Sequence, residues 1–146
     1  MSTRKRKAII DDGMNPELVS GADFDGYLGI PIIRKPDKFI IPANIVPFTK
    51  RNRAEGNNIA VGFYEMDNEF SDVLVSPEDY LEEFWRSILV TPEKARLFLT
   101  PDCSLYRNAP LAVQITNVYR NRTIGSFFQR NGAYVIPQIR WGNELT

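Results

Sequence analysis

Residues 96–141 (RLFLTPDCSLYRNAPLAVQITNVYRNRTIGSFFQRNGAYVIPQIRW) constrain the fold more than any other part of the chain. They open on Arg96-Leu97-Phe98-Leu99-Thr100, a short apolar run stopped by Pro101, which reads as a buried strand. Asn108-Ala109-Pro110 then marks a helix start, and the run that follows extends to Gln129. Its apolar residues Leu111, Val113, Ile115, Val118, Ile124, Phe127 and Phe128 cover more than one narrow stripe, so the helix is expected to be well buried. Gly125 costs such a helix about 1 kcal/mol relative to alanine and suggests close packing. Asn131-Gly132 is a stop, with Gly132 suited to a left-handed position just past the helix end. Residues 133–139 (AYVIPQI) form the next strand, and Pro137, lacking a donor, belongs near its end or on its exposed side. A strand, a helix and a strand in this order make a parallel crossover unit, which is right-handed.

The same alternation extends upstream. Residues 59–66 (IAVGFYEM) are an apolar run with β-branched and aromatic content, expected to be a strand covered on both faces. Ser76, Pro77, Glu78 and Asp79 then give a helix start suited to the positive end of the helix dipole. Tyr80, Leu81, Phe84, Trp85, Ile88 and Leu89 fall on one face as a core stripe, with Asp79, Glu82, Glu83 and Arg86 toward water. Further back, residues 11–37 read as a string of turns with short apolar inserts at Tyr27-Leu28-Gly29-Ile30 and Ile32-Ile33. Phe39-Ile40-Ile41 begins a short extended piece ending at Pro42, and Pro47 precedes a polar loop carrying Lys50, Arg51 and Arg53. The expected fold is α/β: a short, mainly parallel sheet of three strands with crossover helices, part of a TIM-barrel-like or open α/β domain. The chain divides into a basic flexible arm, residues 1–10, and a single α/β domain, residues 11–146.

Composition excludes several chemistries. The chain has no histidine and one cysteine. Ser–His–Asp and Cys–His catalysis, histidine proton shuttles and the usual zinc sites are therefore absent. A lone thiol forms no internal disulfide and fits a reducing compartment, where Cys103 reads as a small buried residue. The net charge is zero, so no global field attracts nucleic acid or an anionic membrane, and any electrostatic function is local. No apolar run is long enough to span a membrane. The first residues lack the apolar core of a signal peptide, and a cytoplasmic location is expected. Asp23 and Asp25 around Phe24 lack the later ligands of a calcium loop. No motif requires a cofactor or a metal.

Right-handed crossovers bring the C-terminal ends of the strands to one edge of the sheet, where ligands bind in open α/β folds and barrels. Asp67, Asp102, Ser104 and Arg140 are the candidate polar site there, walled by Tyr106 and Trp141. Two carboxylates of this kind suit acid–base work, or oxygen ligation of Mg²⁺ beside a phosphate held by arginine. The plainer reading of Pro-Asp after a strand is a loop staple that bonds backbone N–H groups. Arg120 and Arg122 stand about 200° apart around the helix and do not act as a pair. At least one is expected to face inward, where it needs a carboxylate such as Asp102 or a phosphate. Arg4, Lys5, Arg6 and Lys7, with Lys50, Arg51 and Arg53, are the candidate nucleic-acid contacts, although charge runs of this kind are usually solvated.

The segment from Pro101 to Trp141 resembles the bacterial and phage family catalogued only as a domain of unknown function, number 4417. The residues that carry the resemblance are Pro101, Asp102, Ser104, Tyr106, Pro110, Asn117, Tyr119, Arg120, Arg122, Gln129, Gly132, Val135, Ile136, Pro137 and Trp141. It extends more weakly to Ile45-Val46-Pro47-Phe48 and the strand ending at Asp67, and residues 1–38 add nothing to it. The resemblance implies a setting of phages, plasmids and other mobile elements, and it assigns no catalytic residue. Members of that family usually continue into further strands, so the chain is expected to be a shortened version or fragment of a larger domain. Strands left with open edges invite an assembly that covers them, such as a homo-oligomer. Three functions are compatible with these observations. The first is an accessory or interaction protein that binds a protein or nucleic acid of the host or mobile element. The second is a nucleic-acid-binding module for replication or transfer. The third is a hydrolase-like or metal-dependent enzyme using the strand-end carboxylates.

Overall fold

The computed structural model describes residues 16–53, 59–64, 77–79, 81–82, 97–103, 105–139, 142, 144 and 145, with only the backbone of 51–53. Its frame is a four-stranded parallel sheet whose strands lie side by side in chain order: β3 (Asn44–Pro47), β4 (Ile59–Gly62), β5 (Leu97–Leu99) and β6 (Tyr134–Ile136). A small antiparallel hairpin precedes it, β1 (Phe24–Asp25) with β2 (Ile30–Pro31). The long helix α1 (Leu111–Arg130) is the crossover from β5 to β6. Residues 77–79 and 81–82 are helical and lie between β4 and β5 in the chain.

The described parts of all three connections reach one face of the sheet: Phe48 after β3, Leu81 after β4 and α1 after β5 join a single cluster. Strand side chains alternate between faces, so Val61, Phe98 and Val135 turn to the helical side and join Leu81, Cys103, Ile124 and Phe128 in the main core. Phe98 and Phe128 meet there with ring centroids 5.0 Å apart. Ala60, Leu97 and Leu99 turn to the other face, where Ile40, Tyr134 and Ile136 cover them. That two-sided burial is the expectation for β4, whose Ala60, Val61 and Gly62 are all buried.

The helix ends as its sequence predicts. Gly132 takes φ +90°, its N–H donates to Gln129 O, and the Ala133 N–H donates to Phe128 O. This pair of bonds satisfies carbonyls that would otherwise be orphaned in the last turn. The segment before the sheet is fastened to the same half of α1. The Gln129 side chain accepts the Arg34 N–H and donates to the Arg34 carbonyl, both at 2.7 Å. Arg130 donates to the carbonyls of Leu18 and Ser20, and Arg34 pairs with Asp23 across the hairpin base.

Three expectations need correction. The sheet has four strands rather than three, because Asn44–Pro47 pairs with β4 in the register Asn44↔Ile59. The extended piece expected at Phe39-Ile40-Ile41 makes no ladder. Its Ile40 N–H goes instead to the Tyr134 hydroxyl at 2.9 Å. The polar loop after Pro47 begins as a helical turn, Phe48–Arg53, anchored by Phe48, which is buried and stacked on Phe63 at 5.5 Å.

Proline explains how Pro47 sits inside a strand. The Ile45 N–H bonds the Asn44 side chain at 2.8 Å, so it points away from β4. Alternate residues of a strand point their N–H groups the same way, which puts the nitrogen of Pro47 on that outer side too, where a missing donor costs nothing. The far edge is built alike. Thr100 N–H donates to Ile136 O, which turns Ile136 toward β5 and leaves Val135 and Pro137 facing outward. Pro137 thus stands both just past the end of its strand and on its exposed side. The Ala133 N–H, on that same outer side, is already spent on Phe128. Both edges are short and poor in free donors, which is how natural sheets discourage uncontrolled pairing.

Candidate functional site

The loop leaving β5 carries most of the described polar groups at the sheet's C-terminal edge. Thr100 and Pro101 are buried, Asp102 is half-buried and Cys103 is fully buried. Thr100 ties this loop both to the end of β6 and to the loop that follows it. Its N–H donates to Ile136 O at 3.0 Å, and its Oγ1 accepts the Gln138 N–H at 2.8 Å.

The loop is held to α1 by two buried side-chain amides. Asn121 Oδ1 accepts the Cys103 N–H at 2.7 Å, and Asn121 Nδ2 donates to the Cys103 carbonyl at 3.4 Å. Gln114 Nε2 donates to Ala109 O at 2.8 Å and to Arg107 O at 3.4 Å. Seven residues apart, these amides lie on one face two helical turns from each other. They therefore clamp both ends of the loop that connects strand and helix. Part of the loop stapling expected of Asp102 is done by them. Sequence reading passed them over, although two amides at a seven-residue spacing within a buried helix were the available signal.

Removing the clamp at Asn121 has a definite cost. Asn121→Leu keeps the branched shape but leaves the buried Cys103 N–H without that acceptor, and it is expected to lower stability by about 1–3 kcal/mol. Urea unfolding checks it; a loss within experimental error would mean the loop is held by other contacts.

The remaining sequence candidates separate. Arg120 and Arg122 are half-buried. Arg120 donates to Asn117 Oδ1, one turn back, at 3.5 Å rather than to Asp102, and its Nε is buried without a hydrogen bond. Tyr106 is 64% exposed. Lys50 is exposed on the turn that also contains Arg51 and Arg53. Asp67, Ser104, Arg140 and Trp141, and the arm Arg4, Lys5, Arg6 and Lys7, lie outside the described residues. Cys103 is a buried free thiol, as read from the sequence. Among the described residues no three His, Cys, Asp or Glu side chains gather as metal ligands. No described helix is long and apolar enough to cross a membrane.

The comparisons agree with the motif. A family model described as Domain of unknown function (DUF4417) matches residues 22–146, beginning well upstream of the segment that carried the resemblance. The Gene 1 protein of Mycobacterium phage L5 is 34% identical over 120 residues, which is 80% of this chain and 48% of that protein. The Gene 1 protein of Mycobacterium phage D29 is 33% identical over 109 residues, 73% of this chain and 37% of that protein. The chain spans less than half the length of these two curated relatives. No solved structure matches.

Proposed function

The chain belongs to the DUF4417 family, and from that premise we propose that it is a phage- or mobile-element-associated accessory protein that acts by binding a macromolecule. The relatives from two mycobacteriophages support the setting. The observation that carries the binding reading is the segment holding Phe39 and Ile41, which are 74% and 85% exposed. Between them Ile40 turns inward, packs on the Ala60, Leu97 and Leu99 cluster and gives its N–H to Tyr134. The inward anchor fixes its two neighbours in water, where exposed apolar area costs about 25 cal/mol per Å² relative to burial. A contiguous exposed apolar patch marks an interaction surface, and we take Phe39 and Ile41, two residues apart on one segment, as the centre of such a patch.

A photo-crosslinking residue at position 41 tests this in cells where the mobile element replicates. A discrete adduct is expected from position 41 and none from the exposed neighbour Lys38. Equal labelling from both positions, or none from either, removes the reading.

The strand order supports a finer view of the architecture. Parallel strands in chain order, with the described parts of their connections on one face, match the repeat of a (β/α)₈ barrel, whereas doubly wound sheets reverse order at a switch point. We read this sheet as an arc of a barrel-like domain.

A nucleic-acid-binding module is the second reading, favoured by the Phe48–Arg53 turn. It groups Lys50, Arg51 and Arg53 on a short helical element with a buried aromatic root. The gel-shift expectation is binding that falls steeply with salt, and a Lys50→Ala/Arg51→Ala/Arg53→Ala variant whose salt slope is flatter by about 2–3. No retardation at low salt ends this reading.

A further inference from the structure

We propose that two copies of this chain associate by a reciprocal exchange in which Tyr27 of each copy enters the cleft beside Arg130 of the other. The projecting part is the turn between β1 and β2. Tyr27 at its tip is fully exposed, and Leu28 and Phe24 beside it are about half exposed, at 54% and 48%. The base of the turn is fixed, since the Ile32 N–H donates to Asp23 O at 2.9 Å, Asp23 pairs with Arg34, and Gln129 grips the Arg34 backbone. An aromatic ring on a fixed support loses little freedom on docking, which is what makes tyrosine effective as an interface anchor.

The receiving part adjoins that base. A cleft of about 390 Å³ opens between the hairpin base and the C-terminal half of α1, with Ile32 and Pro36 as apolar wall and Lys35, Asp37, Ser126 and Arg130 around it. That volume lies in the range of pockets that enclose a ring-sized group. Apolar sides with polar groups around them suit a phenol, whose ring is apolar and whose hydroxyl both donates and accepts.

Charge favours the same partner. Asp25 stands at the end of β1 beside the tip, whereas the cleft holds Lys35 and Arg130 against Asp37, its Arg34 and Asp23 being already paired, so the cleft is net positive by one charge. Asp23 and Ile32 are shared between the hairpin base and the cleft lining, so knob and hole lie within one patch. A patch that contains both halves of a fit is self-complementary about a two-fold axis, which closes a dimer and leaves no surface for further growth. The sheet edges, poor in donors, are not needed for this contact.

Sedimentation velocity of the full chain over a range of concentrations tests the exchange. A reversible monomer–dimer equilibrium is expected. Tyr27→Ala should weaken association by about tenfold or more, as truncating an interface anchor does. Asp25→Lys and Lys35→Glu should each weaken it, and the double variant should recover much of the loss, because the swap restores opposite charge across the axis. Thermal melts guard the comparison, since these exposed positions should leave the transition unmoved. A chain that stays monomeric to millimolar concentration overturns the proposal. So does a dimer indifferent to Tyr27→Ala, or a charge swap that shows no rescue.

Discussion

Phe128→Ala is expected to lower stability by about 3–5 kcal/mol, the largest loss from any single side-chain truncation considered. Phe128 is fully buried, its ring lies 5.0 Å from that of Phe98 and 6.2 Å from that of Phe127, and it shares a cluster with Ile124, Ala133 and Val135. The residue joins helix to sheet, and its carbonyl also accepts the Ala133 N–H that closes α1. Since a domain of this size is stable by only about 5–15 kcal/mol, the variant should sit near its unfolding midpoint on mild heating. Phe127, the preceding residue on the same turn, is half-buried, and Phe127→Ala should cost clearly less. Equilibrium urea denaturation of both variants measures the difference. Equal losses would show that the described contact with Phe98 does not hold helix to sheet.

Gly125→Val is the second large effect, and here two opposing terms fix the sign. Helix propensity alone favours replacing this glycine, by about 1 kcal/mol for alanine. Packing opposes it, because a Cβ placed there would stand 2.6 Å from both Ile33 Cδ1 and Thr100 Cγ2. The Ile33 methyl is the end of a flexible side chain and can swing aside. Thr100 cannot, being β-branched, buried, and bonded through its N–H to the end of β6 and through its hydroxyl to the loop beyond it. Overpacking of this kind costs about 1–3 kcal/mol, so Gly125→Ala should be mildly destabilising and Gly125→Val should lose about 3 kcal/mol. A rise in denaturation midpoint for Gly125→Ala would mean the close approach is not real.

The sequence made the helix and its flanking strands legible because their signals are local. Asn131-Gly132 stops α1 at the stated place, the apolar runs at 97–99 and 134–136 are strands, and Gly125 marks a close approach. The strand β3 was missed for a reason equally physical. Its membership rests on pairing with β4, not on its own residues, and Pro47 reads as a breaker until the ladder shows its nitrogen facing outward. Phe39 and Ile41 mislead in the opposite direction, being apolar in sequence but exposed in structure. At the candidate site, residue types drew the eye to charged groups. The described geometry instead rests on the uncharged amides Gln114 and Asn121, whose roles depend on a loop that only the fold brings to them.

The fastening of residues 18–34 to Gln129 and Arg130 has a consequence for how the chain is made. These bonds join positions 95 to 112 residues apart, so the early segment cannot find its seat until Gln129 and Arg130 have left the ribosome. At about 5–20 residues per second, that delay is on the order of 5–20 s. Throughout it, Ile33 waits without the helix that later packs on it. A nascent chain of this protein is therefore a natural client for whatever holds unfinished chains apart, and its vulnerability should end abruptly as the last turn of α1 emerges.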